Sequence, residues 1–364
     1  MPNLTRASEE MFRRTEDERF GTLVELWQHC QEDRERSVEH WPATQRLRPL
    51  SQPGTVVLGF DDQEFFMNDW SFSQLCRLAN VSKDTLNRLS PETAARALQE
   101  TMPGGDKPAQ VLTSGSTIRS IHGTSYTRLH NVDLLNIVRE FATDFRPPQE
   151  AAAPPTELAS PEDTAPWEEP EQPARPRGGT GLYCGEQDMF CFLIDPMGWT
   201  DIDGEPFAPG FFLWNSEVGR RTVGIQTFWF QAICQNHIVW DAVDIVEFTR
   251  KHTANVHDSL GEIRRIIEGL VEKRDQRRDG FVQTIRKAMV TKIGDEADEV
   301  LKVLSQHGIR RKVADEALEI ARQQGRFTVF ALVDALTRLA GKLPNAGDRT
   351  EADERASSLL ALAV

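Results

Sequence analysis

The chain contains no apolar run approaching the roughly 18 residues a bilayer-spanning helix needs. Its opening stretch, MPNLTRASEEMFRRTEDERF, is charged and has no apolar centre, which does not fit a signal peptide. Cysteine is scarce. Cys30, Cys76, Cys184, Cys191 and Cys234 are odd in number and irregularly spaced. That usage suits a reduced, cytoplasmic setting better than a disulfide framework. Walker loop, H-E-x-x-H, G-x-S-x-G and G-x-G-x-x-G are all missing, so the common nucleotide-loop, zinc-peptidase and serine-hydrolase chemistries have no basis here. Cys184 and Cys191 should lie near each other across a hairpin, but they lack C-x2-C spacing and a second pair to complete a zinc site. Asp201-Ile-Asp203-Gly-Glu205 begins like a calcium loop and lacks the remaining ligands, so it reads as a polar turn. No residue is assigned to catalysis, to a metal or to a cofactor.

Acidity is present in excess but is unevenly spread. The formal net charge is −14, yet Glu150 to Glu205 alone holds thirteen acids against two arginines. Arg250 to Lys312 carries fifteen Lys/Arg against ten Asp/Glu. Charges act locally when the Debye length is about 8–10 Å, so the total does not exclude a nucleic-acid partner.

A chain of 364 residues is long enough for two domains, or for one large domain with additions. Residues 1–50 read as a helical extension, with a helix from Leu4 to Ser37 whose Phe12, Phe20, Leu23, Leu26 and Trp27 share a stripe. Residues 51–146 and 180–255 read as two halves of one α+β domain: an antiparallel β-sheet with packed helices. Thr55 to Phe60 is a strand, Ala109 to Tyr126 a hairpin turning at Ser114-Gly-Ser116, and Gly181 to Ile194 another hairpin. Asn131 or Asp133 starts a helix. Residues 147–179, rich in Pro, Ala and Glu, read as a disordered acidic insert. Within it Trp167 is the residue able to engage a protein partner. Residues 256–364 read as a helical C-terminal region, opening with one long helix from Val256 to Val290.

The chain is densest in apolar and aromatic residues from Gly210 to Trp240, around two polar knots. The first, Asn215-Ser216-Glu217, precedes a turn at Gly219-Arg220. The second is Cys234-Gln235-Asn236-His237. Polar groups inside such a run need partners, because burying them unpaired costs roughly 1–3 kcal/mol each. They either fix a tight turn or form a site. The Asn-Ser-Glu-Val-Gly turn followed by Cys-x-Asn, with Arg250-Lys251-His252-Thr253 further on, resembles the domain of unknown function 932 family of phage- and plasmid-like proteins. The resemblance runs from about Ser71 to the C-terminus, apart from the Pro-rich insert. It departs at Val329-Phe330 and Asp334-Ala-Leu-Thr337, where the family carries Trp-Gly and Asn-Ala-x-Thr. It implies a family and a mobile-element setting, not a reaction.

Three functional readings follow. The first is a DNA-associated accessory factor that binds or anneals single-stranded DNA. Cationic and aromatic side chains would form its groove: Arg119 and Tyr126 on the hairpin, Asn215, Ser216, Glu217, Arg220 and Arg221 at the turn, and Asn236, Arg250, Lys251 and His252 after it. The second is metal-dependent phosphodiester cleavage, drawing on Asp195, Asp201, Asp203, Glu205 and Glu217. The third is a regulatory or interaction role for Ser71 to Ser90, which resembles a helix-turn-helix with Lys83, Thr85, Asn87 and Arg88 exposed. Self-association is left open.

Overall fold

The structure is a computed structural model that describes residues 16–147, 181–231, 237–239, 246–323, 327–340, 342–343 and 346–363. It is an α+β protein with a helical C-terminal region. Its strands form two sheets rather than the single sheet expected.

The first sheet holds β1 (Ser37–His40), β2 (Arg48–Gln52), β3 (Thr55–Phe60), β4 (Gln63–Met67), β5 (Ala109–Ser114) and β6 (Thr117–Gly123), in the order β1-β5-β6-β4-β3-β2. Only the β4–β6 pairing is parallel. The division expected at residue 50 therefore falls inside a hairpin, since β2 pairs with β3 along its length. The β5–β6 hairpin turns where its Ser-Gly-Ser sequence predicts, with Gly115 at φ +55. Helices α2 (Asp69–Leu78), α3 (Lys83–Leu86) and α4 (Pro91–Thr101) cover this sheet, burying Leu75, Leu86 and Leu98 against Leu58, Val111 and Ile118. The helix-turn-helix expectation is corrected here. Its second helix is one turn long, because Ser90-Pro91 restarts the chain as α4. Lys83 is bound to Asp69 rather than presented to a groove.

The second sheet holds β7 (Leu182–Cys184), β8 (Met189–Ile194), β9 (Thr200–Ile202), β10 (Glu205–Asn215), β11 (Val223–Gln231), β12 (His237–Val239) and β13 (Glu247–Arg250). β12-β11-β10-β8-β7 is its main path. Alternation along β10 sends Phe211 and Leu213 to one face and Phe212 to the other. The first face packs on α1 (Leu23–Arg36), α5 (Asn131–Phe141) and α6 (Asp258–Glu272), burying Leu26, Leu135, Val138, Ile263 and Ile267. The second carries an aromatic layer of Phe190, Phe192, Phe212, Phe228 and Phe230.

Helix α1 starts later than expected. Thr22 accepts from the Glu25 amide while Glu25 accepts from the Gly21 amide, a reciprocal box that fixes the helix start. Its expected N-terminal turns and Phe12 lie outside the described residues. The single helix expected over 256–290 is two, α6 and α7 (Arg274–Val290), broken at Lys273. The break hands the apolar stripe from one core to another. Ile263 and Ile267 face the sheet, whereas Phe281 and Ile285 enter a bundle with α8 (Ala297–Gln306), α9 (Arg311–Gln323), α10 (Val329–Ala340) and α11 (Ala346–Ser357). Phe281 stacks on Trp229 at 4.1 Å and ties that bundle to β11.

Most of the acidic insert, with Trp167, lies outside the described residues. Its ends do not. Arg146 exchanges both backbone hydrogen bonds with Ile194 at 2.8 Å, and Gly181 accepts from Phe192 at 2.9 Å. These are successive rungs on one side of β8, about 7 Å apart. The chain thus leaves and rejoins a single strand line. Replacing residues 148–180 by a short Gly-Ser link should leave the thermal unfolding midpoint within a few degrees of the parent. A lost cooperative transition in a circular-dichroism melt would contradict that.

Candidate nucleic-acid interface

The β10–β11 connection is where the two sheets meet. Alternation places Asn215 on the face of Phe211 and Leu213, toward the start of α5. There its amide donates to the Leu129 carbonyl at 2.9 Å and to Asn131 Oδ1 at 2.8 Å. Ser216 donates to the Gln187 carbonyl and accepts from the Arg220 amide at 2.8 Å. The Gly219 amide closes the turn on the Ser216 carbonyl at 3.1 Å. Gly219 has φ +72, and a Cβ there would sit 2.7 Å from His122 and 2.9 Å from Tyr126. Both conformation and space require glycine.

Glu217 is the buried charge of this turn. One carboxylate oxygen accepts from the Asn131 amide at 2.8 Å, at the first turn of α5, where the N-cap residue His130 supplies no side-chain bond. The other lies 3.1 Å from Arg119 Nη1. Arg119 comes from β6, at a bulge where Ser120 pairs with Leu112 and Ile118 with Thr113, leaving Arg119 unpaired and re-aimed. It also donates to Ser37 at 3.0 Å. Burial alone would raise the Glu217 pKa. The His130 imidazole, the Arg119 guanidinium and the Asn131 amide outweigh burial and hold it at about 2.

The outer side of the same turn builds a cavity. The Val218 carbonyl accepts from Trp70 Nε1 at 2.8 Å and faces His122 Nε2 at 2.9 Å, with the Gln74 side-chain nitrogen 3.2 Å from the same ring nitrogen. The Glu217 carbonyl accepts from Tyr126 at 2.8 Å and from Arg128. Tyr126 stacks on His122 at 3.7 Å and on His252 at 5.4 Å. Burial, reinforced by Arg128, lowers both histidines to about 4, so both are neutral near pH 7. These rings line a cavity of about 940 Å³. Among the described residues its charged lining consists of Arg77, Lys107, Arg220, Arg221 and Lys251, with no carboxylate. The Arg77 and Arg220 guanidinium groups lie 5.1 and 5.0 Å from the Trp70 ring centroid, and Arg221 pairs with Asp188 at 2.7 Å.

The expected site residues therefore separate into two layers. Tyr126, Arg220, Arg221, Lys251 and His252 converge on the cavity. Arg119, Asn215, Ser216 and Glu217 are buried beneath it and have no surface to offer a strand, so their expected role as nucleic-acid contacts is corrected to support. Arg250 packs over Phe248 and donates to the Asn255 carbonyl at 3.0 Å, outside the cavity lining. Asn236 lies outside the described residues. Trp70, Arg77, Lys107 and His122 complete the lining and were not singled out from the sequence as site residues. Trp70 and Arg77 carried a usable signal, an Arg seven residues after a Trp on one amphipathic helix.

The carboxylates considered for metal chemistry do not gather. Asp195 pairs with Arg274, Asp201 caps the Gly204 amide at 3.0 Å, Asp203 lies 4.0 Å from Arg286, and Glu217 is committed to Arg119. Among the described residues no three His, Cys, Asp or Glu side chains come together as a metal-binding group. Cys184 does not face Cys191. It stands opposite Met189 in the hairpin and meets Cys30 of α1 instead. Among the described residues no helix is long and apolar enough to cross a membrane.

Comparison of the chain with protein-family models finds no match, and comparisons with curated proteins and with solved structures find none either.

Glu217→Gln should destabilise the fold by about 3 kcal/mol, because it leaves the Arg119 charge buried without its main partner. Acid sensitivity should change with it. His122 and His252 fall from an ordinary 6.5 to about 4, and Glu217 from 4.5 to about 2. In each case the unfolded chain binds more protons, so stability declines as pH falls below about 6.5 and again below about 4.5. Urea unfolding across this range should show the lower decline in the parent and not in Glu217→Gln.

Proposed function

We propose that the protein is a DNA-associated accessory factor that binds single-stranded nucleic acid, with DNA favoured, in the cavity between the two sheets. The observation that carries this is the composition of the cavity wall among the described residues: five cationic side chains, no carboxylate, and aromatic rings from Trp70 and Tyr126. A flexible polyanion with stackable bases matches such a wall. Cations neutralise the phosphates, and each base stacked on an aromatic ring contributes roughly 1–3 kcal/mol. The overall acidity does not oppose the reading, because most of the excess is concentrated in the sequence between Glu150 and Glu205. The resemblance to the domain of unknown function 932 family adds the setting of a phage- or plasmid-like element.

Fluorescence anisotropy with a labelled single-stranded oligonucleotide tests this. Binding should weaken steeply between about 50 and 200 mM salt. Arg77→Ala with Lys251→Ala should lower affinity and flatten the salt slope by about 0.7 per phosphate contact removed. Trp70→Ala should cost about 1–3 kcal/mol with the slope unchanged. Equal binding by parent and variants, or none by the parent, would reject the reading, and tighter binding of an equal-length duplex would reject its single-strand preference.

A further inference from the structure

A second constellation lies away from the cavity, where α1 crosses β7. The sulfurs of Cys30 and Cys184 are 3.9 Å apart, with the Cys30 thiol donating to Cys184. Cys30 is 1% exposed and Cys184 2%. His29 precedes Cys30 on the helix, its positive charge favours the Cys184 thiolate, and its Nε2 lies 3.6 Å from Asp33. Asn131 donates to Cys184 at 3.7 Å. Two thiols in contact, an imidazole and a carboxylate thus gather where α1 meets β7. A core packed only for volume needs none of this polarity, since a buried thiol behaves as a small apolar group. Cys191 shows that ordinary case nearby: burial alone governs it and drives its pKa upward. Cys184 is instead lowered to about 7, by the Cys30 thiol first and by His29 against the opposing effect of burial.

We propose that Cys30 and Cys184 form a redox site, in which Cys184 is the reacting sulfur, Cys30 resolves it to a disulfide, and His29 held by Asp33 positions the proton. The oxidant is a hydroperoxide. The Cys184 thiolate attacks its terminal oxygen, forming an S–O bond as the O–O bond breaks. The departing oxygen takes the proton from His29 and leaves as water or an alcohol. Cys30 then attacks the sulfenic sulfur, the S–S bond forms, the S–O bond breaks, and the hydroxyl leaves as water with the Cys30 proton. Two electrons and two thiol hydrogens pass to the peroxide. The sulfurs close from 3.9 Å to a bond of about 2.05 Å, a movement within reach of side-chain rotation and a small shift of α1. The His29 side chain is partly exposed, whereas both sulfurs are buried.

Native protein treated with hydrogen peroxide, then denatured, alkylated and digested, should yield a Cys30–Cys184 cross-linked peptide lighter by two hydrogens. Cys30→Ser should stop at a Cys184 sulfenic acid that dimedone traps. His29→Ala should oxidise at roughly a tenth of the parent rate near neutral pH and recover in alkali, where the thiolate forms unaided. A merely structural imidazole would show no such pH dependence. Recovery of Cys30 and Cys184 as separately alkylated peptides would overturn the proposal, as would a disulfide to Cys76 or Cys191. The mapping on the parent chain decides the matter even where a variant does not fold.

Discussion

One ion pair holds the two sheets in register with each other. Glu217 projects from the β10–β11 turn of the second sheet and Arg119 from β6 of the first, and the same carboxylate receives the first amide of α5. A buried carboxylate is unfavourable unless its charge and lone pairs are met. Here three separate segments are obliged to meet it. Moving any one leaves the others with an unmet polar group, so the arrangement specifies geometry beyond whatever net stability it adds.

The cavity is the outer face of that constraint. Once Glu217 points inward, the Glu217 and Val218 carbonyls point outward, and their donors decide what surrounds them. Trp70, His122 and Tyr126 are drawn there by hydrogen bonds to backbone, not to one another's side chains. Their rings then form a wall whose position depends on main-chain geometry. Gly219 sets the closeness of that wall, since any side chain would displace both His122 and Tyr126. The cations are arrayed around it on four segments that approach only in the folded state.

The individual elements were legible because they rest on local physics. Alternation and a Ser-Gly-Ser turn specify the β5–β6 hairpin, and the strand at Thr55–Phe60 follows from a short β-branched run. The presence of two sheets was not legible, because strand partnering is a long-range choice that β1 and β5 make across more than sixty residues. The polar turn Asn215-Ser-Glu217 was recognised as special, but sequence cannot say which way a carboxylate points. Arg119 shows the same limit: an arginine on a strand reads alike whether a bulge turns it inward or leaves it in solvent. His252 and Lys251, read from the sequence as nucleic-acid contacts, line the cavity, while Lys107 was not singled out because it sits in no motif and only the fold brings it there. The long helix over 256–290 failed at Lys273 for a related reason. The apolar stripe continues through the break, and only its two different packing partners show that the axis turns.

The strand line interrupted between Arg146 and Gly181 has a consequence for how this chain tolerates change. Because entry and exit sit on neighbouring rungs of β8, the closure cost of the connection between them grows only slowly with its length. Doubling that length costs about 0.6 kcal/mol. The position therefore acts as a port in the architecture. Sequence can be lengthened or shortened there at little cost in chain closure.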